Sequence, residues 1–218
     1  MNNDLELEII KVLKSLKNSK ILDIGSGDFR HNIPNFNKNN NKYFPIDVKN
    51  SGHWSNNKDK LNHKNLVKFY DGINIPYKSN CFDFIIFTET LEHVESPHKL
   101  KKDIFRVLKK GGRILITIPF LFAEHEMPYD FRRYTINGLT KFFNEKNKYK
   151  IIKKIKIYKG TASLERLISS ELTKTKKIDN YVVDRFIRYS LKIIFRLIKL
   201  FYSFKNSYGG ALVLLKKK

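Results

Sequence analysis

The chain has 218 residues, a formal net charge of +22 and a single cysteine, Cys81. This length suits one domain with its own core, and the lone cysteine excludes an intramolecular disulfide framework. The first residues are polar and acidic, with no basic stretch leading into an apolar one, so we expect no signal peptide and a cytoplasmic location.

The excess of basic residues has two explanations that the total charge leaves open. An anionic partner, either nucleic acid or a membrane surface, would attract such a charge. Lysine and asparagine are abundant, as in "NFNKNNNK", and both have A/T-rich codons, so genome composition by itself can also produce the excess. The positions of the cations are therefore more informative than their number.

The first half of the chain predicts a helix followed by strands. Residues 4–17 place apolar side chains at helical spacing, and residues 20–24 are typical of a short buried strand. The asparagine-rich stretch 28–42 predicts mostly loop, with room for a short helix. The next two apolar segments predict strands at residues 42–48 and 65–72.

The second half continues the alternation. Strands are predicted at residues 81–89, 113–120, 150–159 and 209–218, and helices at residues 97–109 and 135–147. Gly111 or Gly112 is available to cap the first of these helices. Residues 161–206 predict two more helices, which is far longer than a normal connection. The alternation predicts an α/β fold with a doubly wound, mostly parallel sheet.

The stretch "ILDIGSGD" ends the first strand at the edge where open parallel sheets bind ligands. Gly25 and Gly27 let the backbone approach a ligand closely. Asp47 ends the next strand, where a carboxylate can accept both hydroxyls of a ribose. These residues predict a nucleoside-bearing ligand. The dinucleotide fingerprint needs a third glycine at the position of Arg30, so the loop does not decide between NAD and other ligands.

The following block decides the ligand by resemblance. The segments "FDFIIFTETLEHV" and "RVLKKGGRILITIPF" resemble the class I S-adenosylmethionine-dependent methyltransferases, particularly the type 11 family. The resemblance covers roughly residues 20–160, with "SYGGALVLLKKK" as the expected last strand. It implies a seven-stranded Rossmann-like sheet, S-adenosylmethionine as cofactor and methyltransferase activity.

The resemblance also implies the layout of a single methyltransferase domain over residues 1–218. Its parts are an N-terminal helix, a cofactor-binding core, a helical insertion and the final strand, at residues 1–19, 20–160, 161–206 and 207–218.

The roles of the cofactor-binding residues are carried over by position. The resemblance assigns the methionine part to Asp23, Gly25 and Gly27, the ribose to Asp47, the adenine to Asp71 with Gly72, and the rim of the cleft to Glu89. Many members have a third glycine where this chain has Phe29, and the asparagine-rich loop replaces the usual long first helix. This departure puts the affinity for the cofactor in question.

An oxygen acceptor often needs a general base for methyl transfer. His125 is the first candidate and His93 the second, because each follows the carboxyl end of a strand. The stretch "FLFAEHEMPYDFRRYTINGL" resembles a sub-branch of the family, which adds Asp130 to the catalytic candidates and Arg133 and Tyr134 as substrate-binding residues.

Each of these candidates has a structural alternative. His93 could cap the next helix or pack beneath the cofactor, and Asp130 could form a structural ion pair with Arg132 or Arg133. Thr135 is expected to cap the helix that follows it. No histidine and cysteine cluster has the sequence spacing of a metal site, so no metal is predicted.

Residues 181–205 place their cations on one helical stripe, at Arg185, Arg188, Lys192, Arg196 and Lys199. A cation at every turn disfavours a transmembrane span. An interfacial helix on an anionic membrane, at the cytoplasmic face, fits the pattern. The alternative is that the apolar side of this helix packs on the sheet or on a second subunit. The oligomeric state is left open.

The sequence therefore leads to methyl transfer to a small-molecule or glycan acceptor. A sugar or lipid-linked glycan hydroxyl is favoured, and a quinone, lipid or other small molecule comes second. A nucleic-acid methyltransferase is the first alternative, disfavoured because aromatic and basic residues form no evident stacking platform. The second alternative is a non-catalytic, membrane-associated protein that retains the fold.

Overall fold

A computed structural model describes residues 4–27, 39–49, 67–174, 180–202 and 206–218. The strands are β1 Lys20–Ile24, β2 Lys42–Val48, β3 Lys68–Tyr70, β4 Phe82–Thr88, β5 Leu108–Pro119, β6 Tyr149–Lys159 and β7 Tyr208–Lys217. The helices are α1 Asp4–Lys14, α2 Pro97–Val107, α3 Ile136–Phe143, α4 Thr161–Lys174 and α5 Tyr181–Phe201. Short 3-10 turns lie at Leu91–His93 and Glu145–Asn147.

The strands form one seven-stranded sheet in the order β3-β2-β1-β4-β5-β7-β6. Strands β1 to β5 pair in parallel, whereas β7 pairs antiparallel with both β5 and β6. The predicted doubly wound, mostly parallel Rossmann-like sheet is confirmed. Because β1, β2, β4 and β5 are parallel, their carboxyl ends meet at one edge, and the loops that follow them can share a site.

Both faces of the sheet are covered, which explains the nearly continuous apolar sequence of β4. Successive residues of a strand point to opposite faces, so Ile21 and Leu22 of β1 enter different cores. One core contains residues of α1, and includes Ile9, Leu13, Ile21, Phe84 and Leu115. The other contains residues of α2 and α3, and includes Leu22, Ile85, Leu100, Ile104 and Leu139.

The junction between α2 and β5 differs from the prediction. The helix ends at Val107 instead of residue 109, and the strand begins at Leu108 instead of residue 113. The amides of Asn80 and Cys81 donate to the carbonyls of the last two helical residues, so these carbonyls are satisfied without a glycine cap. Gly111 does have a positive φ of 78°, but it lies within β5. The loop predicted over residues 28–42 falls mostly outside the described residues.

The insertion before the last strand contains two helices, as predicted. Helix α4 contacts β6 and β7, and α5 contacts α4. The side chain of Asn180 caps α5 by accepting hydrogen bonds from the amides of Val182, at 3.0 Å, and Val183, at 3.4 Å. Within the described part of the chain, no helix is both long and apolar enough to cross a bilayer.

Candidate active site

The glycine loop after β1 is held against the end of β2. The amides of Gly25 and Ser26 donate to the carbonyl of Ile46, at 2.9 and 3.2 Å. The amide of Gly27 donates to Oδ2 of Asp47 at 2.9 Å. Gly25 and Gly27 have φ values of 70° and 52°, in the left-handed region that glycine adopts without strain. The predicted loop residues and Asp47 therefore lie together.

Asp47 is buried. Its second carboxylate oxygen, Oδ1, accepts a hydrogen bond from the amide of Val48 at 2.7 Å. An ionised carboxylate offers about four lone-pair sites and so can accept several donors at once. The loop and the ribose-binding candidate are thus joined by one hydrogen bond, and the carboxylate is fixed in place before any ligand arrives.

Thr90 is a residue of this loop region that the sequence reasoning missed. A side chain on Gly25 would overlap Thr90, whose Cβ is 2.9 Å from the place where a Gly25 Cβ would lie. The Thr90 hydroxyl donates to the carbonyl of Thr88 at 2.8 Å. Through the contact between Thr90 and Gly25, the segment after β4 packs against the glycine loop. No spacing rule links residues 65 positions apart, so only the folded chain reveals this contact.

Asp23 is almost fully buried at the end of β1, where it accepts a hydrogen bond from the hydroxyl of Tyr43 on β2. Burial raises the pKa of Asp23 to about 7, and the negative charge of Asp47 adds to the rise, although the bond from Tyr43 lowers it. Asp23 is therefore a carboxyl whose charge depends on pH near neutrality. Tyr43 was not among the predicted site residues.

Asp71 follows β3 and organises its own turn. Its Oδ1 accepts from the amides of Ile73, at 2.8 Å, and Asn74, at 2.6 Å, and these bonds hold the pKa of Asp71 below its ordinary value. Gly72 has a φ of 81°, which the turn requires. The exposed Asp71 therefore has the structural role of an Asx turn in this conformation, in addition to the adenine-binding role implied by resemblance.

Glu89 and Glu92 lie in the segment directly after β4. The amide of Glu89 donates to both the carbonyl and the hydroxyl of Thr117 on β5, each at 3.2 Å. Glu92 lies in the 3-10 turn and its side chain is fully buried. Burial raises the pKa of Glu92 well above its ordinary value, and the charge of Glu89 adds to this effect. Two acidic residues thus follow β4, the partly buried Glu89 and the fully buried Glu92.

The loop after β5 folds back onto the turn after β4, which brings the two predicted bases together. The amide of Phe131 donates to the carbonyl of Glu92 at 2.9 Å, and the guanidinium of Arg132 donates to the carbonyls of Leu91 and Val94. The rings of His93 and His125 pack edge to face with centroids 4.9 Å apart. Their convergence was expected, since both segments follow carboxyl ends of strands.

Asp130 holds His125 in position. Its Oδ2 accepts from the His125 amide at 3.0 Å and lies 3.2 Å from Nδ1 of the same residue. Burial lowers the pKa of His125, although the Asp130 carboxylate opposes this effect. A lowered pKa keeps the imidazole neutral at physiological pH, which is the state that accepts a proton.

The candidate substrate residues have structural contacts here. Arg133 forms a two-point ion pair with Asp130, and one of its nitrogens also lies 3.4 Å from the Ala123 carbonyl. Tyr134 packs its ring on Phe142 of α3, with centroids 5.5 Å apart. These contacts match the structural alternative for Arg133 and leave its substrate-binding role a prediction. Thr135 caps α3, as expected, because its hydroxyl accepts from the Gly138 amide at 3.0 Å.

Comparison with known proteins identifies the family. Residues 2–154 match the family described as a methyltransferase domain. The chain belongs to the methyltransferase domain family. This family match agrees with the methyltransferase resemblance of residues 20–160.

One curated relative is the ubiquinone/menaquinone biosynthesis C-methyltransferase UbiE of Pseudoalteromonas translucida (strain TAC 125). It is 28% identical over 124 residues, which cover 51% of this chain and 49% of the relative. The methyltransferase chain spans about half the length, or less, of the curated relatives that it matches.

Solved structures share the fold. The phosphoethanolamine N-methyltransferase 2 of Haemonchus contortus, in complex with S-adenosyl-L-methionine, has a TM-score of 0.59 at 17% identity, covering 98% of this chain and 52% of its own. The cyclase SpnF has a TM-score of 0.63 at 16% identity, covering 98% of this chain and 80% of its own. Because this fold also occurs in a cyclase, the fold of the methyltransferase domain does not by itself fix its reaction.

Proposed function

We propose that this protein transfers the methyl group of S-adenosylmethionine to a hydroxyl of a small molecule or glycan. One observation carries the proposal: His93 and His125 meet at the sheet edge that bears the glycine loop. The link is direct, because Thr90 packs on Gly25 and its carbonyl accepts the amide of His93 at 3.0 Å. A basic pair therefore adjoins the predicted cofactor site.

When bound, S-adenosylmethionine supplies a sulfonium methyl group for direct displacement by the acceptor. The residues of this chain have to position the cofactor and the acceptor, and to take up the proton that the acceptor hydroxyl loses. In this proposal, Asp47 accepts the ribose hydroxyls and the backbone of the glycine loop contacts the methionine part. Neutral His125, oriented by Asp130, is the first candidate for the base that removes the hydroxyl proton of the substrate, and His93 is the second. Alignment of the reactants can contribute roughly 7–11 kcal/mol.

The favoured acceptor is a sugar or a lipid-linked glycan hydroxyl. A quinone, a lipid or another small molecule is the second class, which the UbiE relatives support through their stated role in ubiquinone and menaquinone biosynthesis. A nucleic acid remains the alternative acceptor suggested by the charge of +22.

Calorimetry with S-adenosylmethionine and its demethylated product tests the cofactor first. We expect micromolar binding of both. Methyl-labelled cofactor is then offered with lipid-linked oligosaccharides, free sugars, quinols and RNA in parallel. Label in the glycan fraction supports the proposal, and label in the quinol fraction shifts the acceptor to the second class. No binding by the folded protein, or label only in RNA, would contradict it.

We also propose that α5 lies on an anionic membrane surface at the cytoplasmic face. The helix has three sides. One side packs inward through residues that include Leu191 and the buried Phe195. A second side bears exposed cations, at Arg185, Lys192, Arg196 and Lys199. The third side exposes large apolar residues. Since each residue turns the helix by about 100°, this side spans an arc of about 140° around the helix axis. Its members include Phe186, Tyr189, Ile193, Leu197 and Leu200.

The order of these sides favours a lipid surface as the occupant. The cations border the exposed apolar side, so both can meet a bilayer together, with the apolar residues in the acyl boundary and the cations at anionic headgroups. Leu200 and Phe201 are 75% and 79% exposed, which is unusual for such side chains and needs a covering partner.

Vesicle co-sedimentation tests the surface. Vesicles with anionic lipid should bind the chain, and neutral vesicles should bind it weakly. Replacing Arg185, Lys192 and Lys199 together with glutamate should abolish the difference. The matched control replaces Lys99, Lys102 and Lys110, which are exposed near α2, and should still bind. Equal loss in both variants would mean that only net charge matters, and dimerisation without vesicle binding would assign the apolar side to a second copy.

A further inference from the structure

The Glu92 carboxylate near the site is buried without a hydrogen-bond partner among the described residues. Its side chain is fully buried, and neither oxygen has a hydrogen-bond partner in the described part of the chain. Burying an unpaired carboxylate is costly, so such a group usually has a cation beside it. The terminal nitrogens of Arg133 are bonded to Asp130, and its buried Nε is not bonded to Glu92 or to any other group in the described part of the chain. The carboxylate is therefore free to take a further positive partner.

Two imidazoles face the same spot. One ligating atom from each of Glu92, His93 and His125 lies within 4.8 Å of the other two. Nε2 of His93 is 3.8 Å from Oε1 of Glu92. A metal with bonds of about 2.1 Å holds neighbouring ligand atoms roughly 3–3.5 Å apart. Small side-chain movements would therefore close the group around an ion.

The surroundings of both histidines are those of metal ligands. Nδ1 of His93 lies 2.8 Å from the Tyr129 carbonyl, so its hydrogen is directed there and Nε2 stays available. Nδ1 of His125 lies 3.2 Å from the Asp130 carboxylate. A histidine that binds a metal through one nitrogen commonly donates from the other to a carbonyl or carboxylate, which fixes its tautomer and orientation.

We propose that Glu92, His93 and His125 bind a divalent transition-metal cation. Two imidazoles and one carboxylate suit zinc, iron(II), cobalt or nickel, whereas magnesium and calcium prefer oxygen ligands throughout. Glu126 is a fourth donor within reach, since its Oε2 is 3.9 Å from Nε2 of His93.

The sequence predicted no metal, because the ligands come from two segments 32 residues apart without a spacing motif. The role of the ion in methyl transfer rests on the proposed function. An imidazole nitrogen that binds a metal cannot also accept a proton. With the ion bound, the metal would lower the pKa of the acceptor hydroxyl, and the released proton would pass to solvent water. The binding of the ion itself does not depend on that function.

Metal titration without cofactor or acceptor tests the site. Tag-free full chain is treated with a chelator, dialysed, and titrated with Co²⁺ alone while visible absorption is recorded, and then with Zn²⁺ alone by calorimetry. We expect one equivalent at micromolar Kd or tighter, a visible cobalt band, and loss of that band when Zn²⁺ is added. Circular dichroism confirms that each protein is folded.

Substitutions assign the ligands. Glu92→Gln, His93→Gln and His125→Gln should each weaken binding at least about 100-fold. His98→Gln, which removes an exposed histidine of α2, should leave it unchanged. Folded wild type that gives no cobalt band overturns the proposal whatever the variants do, and so does binding that survives in all three ligand variants. Failure of methyl transfer with intact metal binding would contradict the proposed function alone.

Discussion

Gly25 and Thr90 are in such close contact that the loop after β4 leaves no room for a side chain on the glycine. A Cβ at Gly25 would lie 2.9 Å from the Cβ of Thr90, closer than real Cβ contacts. Gly25 has a φ of 70°, which disfavours any L side chain independently of space. The same residue is thus constrained twice, by its backbone and by its neighbour.

We expect Gly25→Ala to lower the free energy of unfolding by about 2–4 kcal/mol, because strain and overlap act together. It should also weaken S-adenosylmethionine binding strongly, since the loop must shift to relieve the overlap. Urea unfolding and calorimetry measure the two effects. Adding Thr90→Ala should recover part of the lost stability, because it removes the γ atoms that the new methyl group meets.

Gly111→Ala is the matched control for backbone strain. Gly111 has a φ of 78°, but the nearest atom to an added Cβ is the flexible Lys216 Cε at 3.8 Å. The cost should be about 1–2 kcal/mol from strain alone. Cofactor affinity should not change. Equal costs at Gly25 and Gly111 would show that the Thr90 contact does not matter.

Asp47→Asn should weaken S-adenosylmethionine binding about 10- to 100-fold. A carboxylate accepts hydroxyls in charge-assisted hydrogen bonds that contribute roughly 1.5–3 kcal/mol, and an amide oxygen accepts them less strongly. Calorimetry measures the change. The control is Asp83→Asn, since Asp83 accepts from the Lys20 amide at 2.9 Å at the opposite end of β1 and should leave the affinity unchanged. Wild-type affinity in Asp47→Asn would remove Asp47 from the ribose site.

The charge of Asp23 predicts how stability depends on pH. Its pKa is about 7 in the folded protein against an ordinary value of 3.8. A raised pKa means that the folded state binds a proton more tightly, so the contribution of Asp23 to stability falls as pH rises from about 4 to 7. Asp23→Asn should remove this fall and stabilise the protein at pH 8 by about 1–3 kcal/mol. Urea unfolding at several pH values measures it.

Tyr43→Phe is the control for this titration. The Tyr43 hydroxyl donates to Asp23 and so favours the ionised form. Without it, the pH midpoint should move upward. A midpoint that stays in place, or stability in Asp23→Asn that still falls between pH 4 and 7, would mean that another group produces the effect.

Asp130→Asn should destabilise the protein by about 2–3 kcal/mol, because it breaks a nearly buried two-point pair with Arg133. His125 should lose its fixed orientation, so methyl transfer should fall further than stability explains. Asp184→Asn is the control. Asp184 pairs with Arg188 on the partly exposed α5 at 2.9 Å, and its loss should cost about 0.5 kcal/mol or less. Similar costs at both positions would contradict a special role for the Asp130 pair.

Much of the cofactor end could be predicted because it is local in sequence. Gly25 and Gly27 closely follow β1, and Asp47 is the second-last residue of β2, so parallel strands are sufficient to bring them together. The helices of the insertion were predictable for the same reason, since their apolar spacing is a property of a few consecutive turns. The end of α2 was not, because amides of Asn80 and Cys81 replace the glycine cap that the local sequence suggested.

The sequence by itself determined the sheet, the glycine loop and the family, because hydrophobic periodicity and turn residues act over short distances along the chain. Only the tertiary structure decided which distant side chains meet. Thr90 lies on Gly25, Tyr43 bonds to Asp23, and Glu92 is buried beside His93 and His125. Such contacts depend on how two loops from different strands pack against each other, and packing between loops leaves no periodic pattern in the chain.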